Sequence, residues 1–220
     1  MSRIARLVLP GASHYVLCQA AGHQVLFRTA DAYECYSVLL SDCVQNAGVD
    51  VKAWVLLPTQ VHLVVVPRCA DSIGRAIRAA HVAFDSACPS RSVHDQPRWR
   101  DRPRMCAVQP ELVAWAVRYA ECLPVRRGLA ILPEQYEWCS AYGPSCGGSV
   151  LCHRVADVVL ETSSITERRE HARELWLMRC LKTGMPMGRE AFKQEVLSHS
   201  WRSRHYRCVT SGPPRTCRAR

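Results

Sequence analysis

The stretch Val49–Pro67 (VDVKAWVLLPTQVHLVVVP) constrains this chain more than any other. It is dense in valine and leucine, and it is interrupted once, at Pro58-Thr59-Gln60. Two such runs around a short polar joint read as two strands, Val49–Leu57 and Val61–Pro67, connected like a hairpin. Any fold for this chain must therefore contain a sheet built around that pair.

The flanking segments alternate between the strand and helix periods. Ala12–Ala20 (ASHYVLCQA) reads as a first strand. Thr29 can cap a helix through Tyr33, Tyr36, Leu40 and Val44 that ends near Gly48. Asp71 or Ser72 caps a second helix carrying Ile73, Ile77, Ala80 and Phe84. Residues 87–103, rich in Pro, Ser, Arg and Asp, form a basic loop, and Arg104–Val108 a short fourth strand. Pro110 opens a third helix, Glu111 to about Cys122, which Pro124 should stop.

The order β-α-β-β-α-β-α predicts an α+β fold of the ferredoxin-like, split βαβ kind, an antiparallel sheet with helices on one face. Residues 140–160 read as a connection. A charged helix should span Ser164 to about Thr183, and a shorter one Arg189 to Leu197, ahead of an arginine-rich tail. The expected division is a domain over 1–145 and a helical, arginine-rich extension over 146–220.

Composition bounds the function classes. With 220 residues and 48% apolar side chains, the chain can bury a substantial core. It has no apolar run of about 18 residues, which argues against a membrane span, and its first residues lack the apolar core of a signal peptide. The expected setting is cytoplasmic. Thirteen cysteines, an odd number with no Cys-x-x-Cys pair, argue against a disulfide framework and a zinc knuckle. Most should be small buried thiols, with a zinc site built from scattered positions as the minor alternative.

The net charge is +10, and arginine supplies 26 of the 29 basic groups. Forked guanidinium groups suit phosphate, although a basic solvated surface accounts for the charge equally well. Arg98-Trp99-Arg100-Asp101-Arg102-Pro103-Arg104 joins an aromatic plane to dense positive charge, as a loop gripping single-stranded nucleic acid would; the alternative is a solvated loop anchored by a buried Trp. Arg75 and Arg78, three apart on the second helix, could face phosphate or simply solvent. Arg202, Arg204, Arg207, Arg215, Arg218 and Arg220 suit non-specific phosphate contact. His94, His153 and His171 have no ligand-like spacing.

On the third strand, side chains alternate, so Gln60 and His62 share a face. Two such side chains can ligate one metal ion from a rigid base, whereas a lone strand histidine is more often a hydrogen-bonded core residue.

LLPTQVHLVVVP resembles the strand of HUH transposases that carries His-hydrophobic-His after a Leu/Met-Pro-x step. The likeness continues in chain order. Pro10–Val16 resembles the family's opening strand, and Val25-Leu26-Phe27-Arg28 the segment after it. Val117–Leu129 (VRYAECLPVRRGL) resembles a block of Val-Arg-Tyr followed by Asn-Pro-Val and Gly. Tyr136–Ser140 resembles Tyr-x-Trp-Ser-Ser, and Gly184–Phe192 a C-terminal element of the REP-associated tyrosine transposase branch.

The resemblance implies that Tyr119 is the nucleophile that attacks single-stranded DNA and forms a 5′-phosphotyrosine, conserving the energy of the phosphodiester. By residue pattern alone, Tyr119 reads rather as a core tyrosine on a face shared with Leu112, Trp115 and Ala116. The resemblance further implies Mg²⁺ or Mn²⁺ at His62 and Gln60, a hairpin or single-stranded DNA partner, and a monomer or homodimer. Gln60 stands where the family has the first histidine, Leu123 where it has Asn, and Glu121 where it often has His or Tyr. A transposase that cleaves and transfers strands at palindromic repeats is thus expected, or a DNA-hairpin-binding protein that keeps the scaffold without the chemistry.

Overall fold

The computed structural model describes residues 7–22, 24–88, 98–100, 102–142 and 164–207, with side chains from 168 to 199 in the last stretch. Its elements are β1 (His14–Gln19), α1 (Ala30–Ala47), β2 (Val49–Leu57), β3 (Gln60–Pro67), α2 (Ser72–Ala87) and β4 (Arg104–Ala107). They continue as α3 (Pro110–Glu121), α4 (Leu123–Arg126), α5 (Ser164–Thr183) and α6 (Glu190–Arg207). The four strands form one antiparallel sheet in the order β2-β3-β1-β4, the split βαβ arrangement expected.

Local chemistry explains the first helix well. Thr29 Oγ1 accepts from the Ala32 amide at 3.4 Å, and Gly48 closes the helix in the left-handed region at φ 66°. A side chain at position 48 would be strained there, and its Cβ would lie 3.2 Å from Arg68 Cδ. At the third helix the expected stop falls differently. α3 ends at Glu121, and Pro124 sits inside the one-turn helix α4, near its start where no amide donor is required. The last helix runs to Arg207 rather than to Leu197.

The two crossover helices share one face of the sheet, as the layout requires. There Tyr36, Leu40, Ile73, Ile77 and Phe84 pack with Val61, Leu63 and Val65 of β3. The opposite face is covered too: Trp115, Ala116 and Tyr119 of α3 and Leu177, Cys180 and Leu181 of α5 bury Tyr15, Val55 and Val64. A register shift in β2 between Val51 and Ala53 decides which residues go where. Val49 and Val51 face α1 and α2; after the bulge so do Trp54 and Leu56, which frees Ala53, Val55 and Leu57 for the α3 side.

Both sheet edges are closed by later chain. Leu56 donates to the Trp138 carbonyl at 2.9 Å, and Ser140 to that of Trp54 at 2.9 Å. On the β4 side Met187 donates to the Ala107 carbonyl at 2.8 Å, and Gln109 donates to Met187 at 2.9 Å. These contacts satisfy edge groups that would otherwise invite strand addition. They also give a structural role to Tyr136–Ser140 and Gly184–Phe192.

Much of the predicted 140–160 connection, with His94, His153, Arg215, Arg218 and Arg220, lies outside the described residues. So do the side chains of Arg202, Arg204 and Arg207. No helix among the described residues is long and apolar enough to cross a membrane.

Candidate functional site

β3 sends Gln60 and His62 to the α3 side of the sheet, as alternation predicted. His62 is only 2% exposed. Its Nδ1 lies 2.9 Å from the hydroxyl of Tyr15 on the neighbouring strand, and its Nε2 lies 3.1 Å from Gln60 Oε1. Burial, then the charge of Arg127, lowers the imidazole pKa to about 3, so the ring is neutral. Burial pushes the Tyr15 phenol well above its usual range, so its hydroxyl keeps its proton. Arg127, exposed just after α4, donates to Gln60 Oε1 at 3.3 Å.

α3 brings Tyr119 to the same cluster. Its ring lies 6.0 Å from that of Tyr15, which in turn is 5.9 Å from the His62 ring, and it stacks on Trp115 at 5.3 Å. The phenol donates to Glu174 Oε1 at 3.1 Å, while Glu174 Oε2 pairs with Arg126 at 2.9 Å. The Arg126 guanidinium lies 5.1 Å over the Tyr119 ring. Glu170, one turn earlier on α5, pairs with Arg118 and, at 3.5 Å, with Arg126. Burial and then the Glu174 carboxylate raise the Tyr119 pKa, against a smaller downward pull from Arg126 and Arg127.

The arrangement joins Tyr119, His62 and Gln60 through Tyr15. Residues that sequence reasoning did not single out complete it: Tyr15, Arg126, Arg127, Glu170 and Glu174. The spacing of Glu170 and Glu174 at i and i+4, which puts both on one side of a helix, was the signal available for the last two. Glu121 does not join this cluster by any bond. Its carboxylate accepts from Ser140 Oγ at 2.8 Å, and burial raises its pKa.

The divalent ion implied by the resemblance finds no fitting ligand set here. Arginine only donates, so the Gln60 atom that meets Arg127 is the carboxamide oxygen. That oxygen also faces His62 Nε2, which must therefore carry the ring proton, and Nδ1 spends its lone pair on the Tyr15 hydroxyl. Neither nitrogen is left to ligate. Among the described residues, no group of three or more His, Cys, Asp or Glu side chains could hold a metal ion.

The arginines expected to contact nucleic acid divide into those engaged within the fold and those left exposed. Arg75, Arg78, Arg98 and Arg102 line one open groove of about 980 Å³ between α2 and the segment leading into β4, on the sheet face opposite Tyr119. Arg98 is largely committed: it pairs with Asp85 at 3.4 Å, donates to the Cys88 carbonyl and lies 4.8 Å over Phe84. Arg75 pairs with Asp71 at 3.5 Å and reaches the Ala47 carbonyl at 3.3 Å. Arg78 and Arg102 are exposed without an ion pair among the described residues, as is Arg100; Arg104 is half-buried. Trp99 is the anchor of the two alternatives, not a free stacking plane. It is 7% exposed, and its ring lies 3.6 Å from His81 at 6°. His171 is exposed.

No protein-family model matches this chain, and no curated protein matches it in sequence. Among solved structures, a REP-associated tyrosine transposase bound to a REP hairpin shares its fold. The TM-score is 0.55 at 17% identity, over 73% of this chain and 100% of that one. A candidate transposase of Deinococcus radiodurans R1 overlays with a TM-score of 0.40 at 20% identity, over 55% of this chain and 96% of that one.

Proposed function

We propose that this chain is a transposase-type enzyme of the REP-associated tyrosine kind, which cleaves and rejoins single-stranded DNA at palindromic hairpins through Tyr119. The observation that carries the reading is the hydrogen bond from the Tyr119 phenol to Glu174 Oε1 at 3.1 Å, beside paired arginines, in a fold shared with a hairpin-bound transposase. A core tyrosine needs only one neutral acceptor. This one has a carboxylate aimed at its proton and two cations close by.

In the step this geometry supports, the Tyr119 oxygen forms a bond to phosphorus and the bond to the departing 3′ oxygen breaks. Glu174 accepts the phenol proton and can return it to the leaving oxygen, so nothing is consumed. Arg126, paired with Glu174 and lying over the Tyr119 ring, holds that carboxylate against the phenol. No step is routed through a divalent ion, because His62 and Gln60 are already committed to other partners. Tyr119 is 4% exposed, so DNA reaches its hydroxyl only when the α5 side chains above it give way.

The division into a catalytic domain over 1–145 and an extension over 146–220 belongs to this proposal. In it, the extension completes the site by supplying Glu174. DNA contact falls to Arg78, Arg100 and Arg102, with a cytoplasmic setting and a monomer or homodimer as the acting form.

A second reading is favoured by the same metal-site geometry: a DNA-hairpin-binding protein that retains the scaffold without cleavage. A labelled hairpin oligonucleotide, incubated with the full chain in Mn²⁺, in Mg²⁺ and in EDTA, separates the two. The enzyme yields a covalent adduct on denaturing gels that is lost in Tyr119→Phe and forms about 10²-fold more slowly in Glu174→Gln. Tight hairpin binding with no adduct in any of the three conditions leaves the binding protein.

A further inference from the structure

We infer that Arg127 takes the place of the divalent cation at this site, so that the chain engages a DNA phosphate through a guanidinium and does so without metal. The inference rests on the proposed reading of the site as a DNA-processing centre. It goes beyond that reading by naming the group that meets the phosphate and the ion that is not needed.

The bonding pattern leads there directly. A strand that presents two metal ligands must leave a lone pair on each of them. Here Gln60 Oε1 receives both Arg127 at 3.3 Å and the His62 Nε2 proton at 3.1 Å, while the Tyr15 hydroxyl occupies His62 Nδ1 at 2.9 Å. Gln60 and His62 have thus become a neutral platform that orients a cationic side chain. A glutamine at position 60 suits that role, because its oxygen can accept from an arginine and a histidine together.

Arg127 is also the cation of this cluster that remains available. Arg118 and Arg126 are engaged by Glu170 and Glu174, whereas Arg127 has no carboxylate partner among the described residues. It is exposed, and its one described hydrogen bond to a side chain goes to the neutral Gln60. The rest of its planar fork can meet two phosphate oxygens at once. α4 delivers it: the single turn Leu123–Arg126 links it directly to the helix that carries Tyr119.

Two measurements on the full chain test this. Titrating Mn²⁺ and following the free-ion electron paramagnetic resonance signal should show no site in the wild type. Binding of a hairpin oligonucleotide with a single-stranded flank should be equal in EDTA and in Mn²⁺. It should weaken tenfold or more in Arg127→Ala but less than threefold in Arg68→Ala, which removes the same charge just past the other end of β3 from Gln60. A Mn²⁺ site that disappears in His62→Ala would overturn the inference, as would hairpin binding that requires Mn²⁺. Hairpin binding indifferent to Arg127→Ala sinks this inference alone; no hairpin binding by the wild type under any condition sinks the proposed function with it.

Discussion

The two faces of the central sheet are built from the same strands on opposite principles. Toward α1 and α2, β3 contributes Val61, Leu63 and Val65 to an aromatic and aliphatic core around Tyr36, Phe84 and Trp99. Polar atoms caught in that core, Tyr36 Oη, Ser41 Oγ and Trp54 Nε1, have no hydrogen-bond partner among the described residues. Toward α3 and α5, β3 contributes Gln60, His62 and Val64, and there the polar atoms are wired together: Tyr15 to His62 to Gln60 to Arg127, and Tyr119 to Glu174 to Arg126. Burial of apolar area outweighs a few orphaned groups on the first face. The second face gives up some of that area to fix the direction of each proton. One side holds the fold, and the other carries the chemistry proposed for Tyr119.

Mutations should separate the two faces. The largest effect on stability is expected for Phe84→Ala, a fully buried ring in contact with Phe27, Tyr36 and Trp99. Denaturant unfolding should show a loss of about 3–5 kcal/mol. Tyr119→Phe, which removes one hydroxyl from the other face, should cost no more than about 1.5 kcal/mol. Equal losses from the two would erase the distinction drawn here.

A smaller effect should appear in the pH dependence. His81, stacked on Trp99, has its pKa lowered by burial from 6.5 to about 3. Between those values the unfolded chain binds a proton that the folded chain refuses. Stability should therefore be unaffected by this group above pH 6.5 and fall as pH drops toward 3, by up to about 1.4 kcal/mol per unit. His14, lowered to about 4 mainly by burial, acts in the same direction over a narrower range. His81→Phe should keep the stack and flatten the acid limb of the stability curve; an unchanged slope would show that His81 is charged in the folded state.

The smallest change in stability belongs to the groove. Arg78→Ala and Arg102→Ala should each alter unfolding free energy by no more than about 0.5 kcal/mol. Each should nonetheless reduce the salt dependence of hairpin binding by about one unit of slope. Binding whose salt slope ignores both residues would remove the groove from the nucleic-acid interface.

The elements and their order were legible in the sequence because the signals that set them are local. Strand alternation placed Gln60 and His62 on one face, Thr29 and Gly48 bounded α1, and Pro110 opened α3. Resemblance in motif order pointed to Tyr119. Other features had no local signal. The bulge in β2 exchanges the faces of half a strand without any glycine to mark it. Whether Trp99 was a stacking plane or an anchor depended on His81 and Tyr36, which come from two different helices.

What the sequence determined by itself is therefore the sheet, its helices and a tyrosine and a histidine directed to one side of it. Only tertiary structure decided that the histidine and Gln60 bind each other, Tyr15 and an arginine, and that a glutamate 55 residues beyond Tyr119 takes its proton bond. The physical reason is range. Backbone periodicity and capping are settled within a few residues, whereas the protonation and partner of a buried polar group are settled by whichever distant helix packs over it.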